Sequence, residues 1–135
     1  MEKGMEIKNM SFKVGQTLTV VGIPNPDALC FCMDIGLDKD NLTLHINPRF
    51  NSKGDEKVVV CNSYQGGKWA EEIREGCFPF RHGEEFIVTV KFLPTGFSVI
   101  FCSESAINFP NRLGAKKYSF FSFSGGIRII SVEVK

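Results

Sequence analysis

Several features are missing from this 135-residue chain. No C-x-x-C pair occurs among its five cysteines, Cys30, Cys32, Cys61, Cys77 and Cys102, so a zinc site has little support. Their number is odd and their spacing matches no disulfide framework. No apolar run approaches the length of a membrane span. The opening M-E-K-G-M-E-I-K has no apolar core of the kind a secretory signal needs. Together these point to folding in the cytosol with reduced thiols. Neither sign of charge dominates: sixteen basic residues face fifteen acidic ones, for a net +1. That balance gives no electrostatic reason to expect nucleic acid or insertion into an anionic membrane. Helical periodicity, internal repeats and low-complexity linkers are also lacking, and the length suits one domain, 1–135.

What is present favours β structure. Phenylalanine occurs thirteen times, and it suits pleated, half-buried surfaces. Candidate strands recur at short intervals: Ile7–Phe12, Thr17–Gly22, Leu29–Leu37, Leu42–Phe50, Lys57–Ser63, Lys68–Arg74, Phe86–Leu93, Gly96–Ser103, Tyr118–Phe123 and Ile127–Val134. Gly, Pro, Asn and Asp separate them. Such tight links exclude parallel crossovers, so an antiparallel sandwich or barrel is expected. The segment Asn108–Lys117 reads as irregular, with room for a single helical turn. In the last strand Ile127 and Ile129 fall on one face, and Ile130, Val132 and Val134 on the other. Either the strand is central, or one face meets another chain. Met5 and Ile7 make the other terminus apolar too, which suits a two-fold dimer joined edge to edge.

The stretch L-T-L-H-I-N-P-R-F, Leu42 to Phe50, carries the chemistry. By strand alternation Leu42, Leu44 and Ile46 face a core, and His45, Asn47 and Arg49 share the other face, about 7 Å apart. An imidazole, a carboxamide and a guanidinium in a fixed row suit a ligand covered in hydroxyls, each of which donates and accepts. The next strand adds Asn62, and K-W-A-E-E-I-R adds Glu72 and Arg74. The single Trp of the chain, Trp69, falls in the bend at the edge of that face. A pyranose has a polar rim and an apolar patch. An indole stacked on the patch contributes about 2 kcal/mol, and each net hydrogen bond adds about 1 kcal/mol. Once association is subtracted, one ring binds with a dissociation constant on the order of millimolar.

The series H-I-N-P-R-F-N (His45 to Asn51), V-V-C-N-S (Val59 to Ser63), G-G-K-W-A-E-E-I-R-E (Gly66 to Glu75), F-P-F (Phe78 to Phe80) and F-P-N-R (Phe109 to Arg112) resembles the galectins. The resemblance covers the whole chain and is nearest to the single-domain prototype members. It implies a β-galactoside-binding lectin with a jelly-roll sandwich, two sheets of about five or six strands. His45, Asn47 and Arg49 would bind the galactose 4-hydroxyl and ring oxygen. Asn62 would bind the 6-hydroxyl, and Trp69 would stack on the ring. Glu72 and Arg74 would reach the second sugar, with Glu72 also orienting Arg49, and Asp55 would pair with Arg74. No metal or other cofactor is implied. The prototype members form homodimers through terminal strands, bridge lactose-type glycans of glycoproteins and glycolipids, and reach the cell surface from the cytoplasm by a non-classical route. Lys53 stands where many of them have a second His, which bears on preference among extended sugars.

Other readings are weaker. Glu71, Glu72 and Asp55 could suggest a glycosidase pair. But a Glu72 flanked by Arg49 and Arg74 would stay ionised, unlike an acid catalyst. A lipid carrier would turn its Arg inwards, whereas here Arg and His alternate against a Leu/Ile face. A galectin-fold interaction module with weak or altered sugar binding is the more serious rival. His82 reads as an exposed turn residue and Asn111 and Arg112 as loop anchors. Cys30 and Cys32 read as buried filler, with oxidative sensitivity as the alternative.

Overall fold

The computed structural model describes residues 4–103 and 105–135, and residues 1–3 and 104 of the expected single domain lie outside the described residues. Among the described residues there are twelve strands and no helix. They are β1 (Met5–Lys13), β2 (Thr17–Pro24), β3 (Phe31–Asp38), β4 (Asn41–Ser52), β5 (Asp55–Gln65), β6 (Lys68–Trp69), β7 (Ile73–Glu75), β8 (Phe86–Leu93), β9 (Gly96–Cys102), β10 (Ser105–Pro110), β11 (Lys117–Gly125) and β12 (Ile127–Val134). One sheet runs β1, β11, β3, β4, β5, β6, with β7 also paired to β5. The other runs β10, β9, β8, β2, β12. All the strand pairs are antiparallel. This is the two-sheet sandwich expected, with seven and five strands.

Alternation builds the core. In β8, Phe86, Val88, Val90 and Phe92 are buried, while Ile87 and Lys91 face water. The phenylalanines meet across the gap between sheets. Phe12 of β1 lies 5.4 Å from Phe92 of β8, and Phe31 of β3 stacks 5.3 Å from Phe86 of β8. Ring pairs of this kind contribute about 0.5–1.5 kcal/mol each beyond their buried area.

Simple alternation fails where a strand bulges. Leu42 pairs with Tyr64 and His45 with Asn62, so three steps of β4 oppose two of β5. The extra residue puts Leu42 on the face of His45 and Trp69, not with Leu44 and Ile46 in the core. Thr43 is fully buried instead and donates to Asn111 Oδ1 at 2.9 Å. The chains crowd here: a Cβ on Gly36 would lie 2.2 Å from the Asn41 carbonyl oxygen. A second bulge falls in β12, where Ile129 opposes Gly22 and Ser131 opposes Val21. Ile127, Ile129, Val132 and Val134 therefore all pack on the core, and Ile130 is left 48% exposed. The apparent two-faced strand is a one-faced strand with an inserted residue.

Three other expectations change. Lys68–Arg74 is two short strands, β6 and β7, separated by a break. Asn108 to Pro110 belongs to β10, and a turn follows in place of a helical turn. Cys77, just after β7, is joined to Cys102 at the end of β9, with Cα atoms 6.5 Å apart. That bridge ties the two sheets together and departs from the all-reduced expectation. Which strand ends are neighbours depends on topology, which cysteine spacing does not reveal. Cys32 and Cys61 are buried and unbridged. Burial pushes both thiols up to about 12, with Asp34 adding to the effect at Cys32, so they act as inert filler. Cys30 is only half-buried.

The bulged registers predict unequal costs for aliphatic residues. Leu44→Ala, in the core, should lower unfolding free energy by about 2–5 kcal/mol. Ile130→Ala should change it by no more than about 0.5 kcal/mol. Urea unfolding of dilute protein measures both, and equal losses would contradict the bulge in β12.

Candidate functional site

The β4–β5 hairpin positions most of the site. Its turn is two residues, Lys53 and Gly54, between the paired Ser52 and Asp55. Both have positive φ, 52° and 81°, the twist that suits the strands of a tight hairpin. Lys and Gly at these places put Asp55 at the first position of β5, beside the end of β4. From there its carboxylate meets two guanidinium groups. Arg49 Nη1 donates to Oδ2 at 2.6 Å, and Arg74 Nη1 donates to Oδ1 at 2.8 Å. Those hydrogen bonds, Arg74's first and then Arg49's, hold Asp55 below the usual carboxylate range. The same bond to Asp55, followed by one to Glu72, raises Arg74.

The row on β4 is fixed in the same way. Arg49 Nε donates to Asn47 Oδ1 at 2.9 Å, and Asn47 Nδ2 donates to the Phe31 carbonyl at 2.8 Å. Asn62, across from His45 on β5, donates through Nδ2 to the Ala70 carbonyl at 3.0 Å, and its Oδ1 accepts from the Ser63 amide. Arg49, Asn47 and Asn62 are all buried, yet each keeps one or more donors uncommitted by these bonds. Trp69 is 53% exposed, its ring 4.7 Å from that of His45 and 4.7 Å from that of Tyr64. An open depression of about 460 Å³ brings together His45, Arg49, Asn62, Trp69, Glu72 and Arg74, with Lys53 on its rim. Donors, one carboxylate and one bare indole face outwards side by side. That arrangement can hold a polyhydroxylated ring with an apolar face.

Comparison with known proteins gives the same direction. The family described as Galactoside-binding lectin matches residues 4–134. The chain belongs to the galactoside-binding lectin family. The β-galactoside-binding lectin of Electrophorus electricus is 44% identical over 132 residues, covering 98% of each chain. Among solved structures, the Dario rerio galectin-1-L2 is 46% identical with a TM-score of 0.94, over 97% of this chain and 99% of that one. CG-16, a homodimeric agglutinin from chicken liver, is 32% identical with a TM-score of 0.91, over 98% and 100%. Relatives of this kind carry the names of lectins, not of enzymes.

Within this lectin, six of the seven residues singled out on the sequence line one depression, and Asn47, which accepts from Arg49, lines the adjoining hollow with His45 and Trp69. One assignment within the group changes. Glu72 Oε1 accepts from Arg74 Nη2 at 2.9 Å, and the carboxylate that orients Arg49 is Asp55. The family resemblance implied that role for Glu72, but the hairpin turn brings Asp55 to Arg49. An acid catalyst needs a carboxyl raised towards neutrality, whereas Asp55 is pulled the other way. Arg112 does more than anchor a loop, since Nη1 lies 3.3 Å from Asn62 Oδ1 and 3.1 Å from Ser63 Oγ. Asn111 does anchor its loop, accepting from Thr43, Tyr118 and the Gly114 amide. His82 is exposed as expected, though its ring stacks on Phe50 at 4.0 Å and Nε2 lies 2.8 Å from the Ala28 carbonyl. Asp34 and Ser122 were not singled out on the sequence. They lie on β3 and β11 in line with His45 across the sheet, and only strand register could have revealed them.

The sign of the Asp55 shift fixes its pH signature. A carboxyl depressed in the folded state stabilises above the ordinary carboxylate value of about 4 and loses that contribution as pH falls through the folded value. The stability difference between wild type and Asp55→Asn should therefore be constant from neutral pH to about 5 and shrink below about 4. Parallel thermal melts across this range measure it, and a difference that grew on acidification would contradict the pairing.

Proposed function

We propose that this chain is a β-galactoside-binding lectin, and that the depression beside Trp69 is its sugar site. One observation carries the reading. The exposed indole stands against His45, in the same depression as Arg49, Asn62, Glu72 and Arg74. His45 and Arg49 meet the galactose 4-hydroxyl, with Arg49 held by Asn47 and Asp55. Asn62 meets the 6-hydroxyl with its spare amide hydrogen, and the ring's apolar face lies on Trp69. Glu72 and Arg74 face the second sugar, with Lys53 at the rim. The names of the relatives support this choice of ligand.

The same reading takes the lectin as a homodimer that bridges glycans. β1 and β12 are the free edges of the two sheets at one end of the sandwich. They lie close together, with Met5, Ile127 and Ile129 lining one small hollow. A free edge with apolar side chains is a template for a second copy, and the homodimeric chicken agglutinin shares the fold. Two sites per dimer raise apparent affinity for glycan-bearing surfaces by about 10² or more. Action on surface glycans requires export from the cytoplasm, and the Cys77–Cys102 bridge suits the oxidising space outside the cell.

Titration with lactose, and with sucrose as control, tests the reading through Trp69 fluorescence. Lactose should change the emission with a dissociation constant on the order of millimolar or below, and sucrose should not. Trp69→Ala, followed by calorimetry, should weaken binding by about 2 kcal/mol, roughly thirtyfold. Arg49→Ala should abolish binding with the fold intact. Full lactose affinity in Arg49→Ala would overturn the assignment.

A further inference from the structure

Beside the row on β4, on the neighbouring strands β3 and β11, lie two polar groups with no part in the sugar site described above. Ser122, Asp34 and His45 are direct register partners on β11, β3 and β4. Asp34 is 9% exposed, and both of its oxygens are occupied. Oδ1 lies 2.5 Å from His45 Nδ1, and Oδ2 accepts from Ser122 Oγ at 2.9 Å. An ionised carboxylate can only accept, so the imidazole nitrogen facing it carries a proton. In a neutral ring the other nitrogen, Nε2, then carries none.

We propose that Asp34 is a positioning residue that fixes His45 as the Nδ1–H tautomer, so that Nε2 presents a bare acceptor to the sugar, with Ser122 holding Asp34 in turn. This rests on the lectin reading above. Its consequence is a matched pair of opposites on one strand face. Arg49 can only donate, and His45 Nε2 can only accept. A hydroxyl placed between them satisfies both, because it donates to one and accepts from the other. A fluorine at the same carbon can accept from Arg49 but has no proton for Nε2. The site therefore selects for the hydroxyl as a donor as well as for its direction. Trp69 against one side of the His45 ring and Asp34 at one end leave the imidazole little freedom to turn over.

The test begins with the sugar-free protein. The chain has two His, so a His82→Gln comparison assigns the signals. Two-bond proton–nitrogen NMR of the labelled full chain at neutral pH should show His45 protonated at Nδ1 and bare at Nε2. The opposite tautomer, or an imidazolium protonated at both, would overturn the proposal whatever the protein binds. Asp34→Ala should mix the tautomers and weaken lactose binding about tenfold, the equivalent of one hydrogen bond lost. Asp34→Asn keeps an accepting oxygen and should retain the tautomer and most of the affinity. If Asp34→Ala does not fold, Ser122→Ala should shift the Nδ1 signal and weaken lactose several-fold. An Asp34→Ala protein, or Ser122→Ala in its place, that keeps both tautomer and affinity would overturn the role of Asp34. The bare-Nε2 signature with no lactose binding in wild type would instead sink the lectin reading and leave the tautomer assignment intact.

Discussion

One carboxylate between two guanidinium groups organises the site. Arg49 is 7% exposed, and a buried cation without a partner costs several kcal/mol. Asp55 supplies that partner, and its second oxygen reaches Arg74 on β7. β7 is three residues long and, among the described residues, pairs only with β5, with Ile73 packed on the core. The shared carboxylate, together with the Cys77–Cys102 bridge just beyond, ties that short strand to the hairpin. Without Asp55 the two guanidinium groups would face each other with like charge. With it, they stand as two donors in a fixed relation, ready for oxygen atoms.

The remaining polar groups follow the same logic. Among the described residues no buried side-chain nitrogen or oxygen lacks a hydrogen-bond partner. Asn47 is held by the Phe31 carbonyl, Arg49 by Asn47, and Asn62 by the Ala70 carbonyl. Each residue is locked by some of its bonding capacity and keeps some in reserve. Rotamer freedom is already lost before a ligand arrives, so less is lost on binding. The indole is the exception, 53% exposed beside His45 and Tyr64. Rigid donors beside an open apolar plate are what a ring with hydroxyls on its rim requires.

How much of this the sequence shows depends on the range of the interaction. The row His45, Asn47, Arg49 is legible because alternation within one strand is local. Asn62, Glu72 and Arg74 are legible because short hairpins set neighbouring strands side by side. Leu42 and Ile130 are misplaced by parity, since a bulge inserts one residue without a marker in the chain. The partner of Arg49 is misjudged for a related reason: the geometry of the hairpin turn, which strand parity does not reveal, brings Asp55 to it. Asp34, Ser122, Arg112 and the Cys77–Cys102 bridge depend on which distant strands are neighbours. Their sequence separations from their partners run from 11 for Asp34 and His45 to 88 for Ser122 and Asp34.

Strand order also bears on how two sites could cooperate. The site centres on β4 and β5, and the free edge β1 lies beyond β3 and β11 in the same sheet. At about 4.8 Å per strand, the site sits roughly 17 Å in from that edge. A dimer joined there would hold its two sites roughly 40 Å apart, several times the length of a disaccharide. One small glycan cannot reach both, so two sites at this spacing do not tighten the grip on a single sugar. They would instead link separate chains, or separate arms of a branched one. The same placement keeps the site clear of the β1 edge, so a dimer joined there would leave the depression beside Trp69 open. A weak, rigid site far from a sticky edge is thus suited to bridging, with avidity supplied by the number of glycans and not by the strength of each contact.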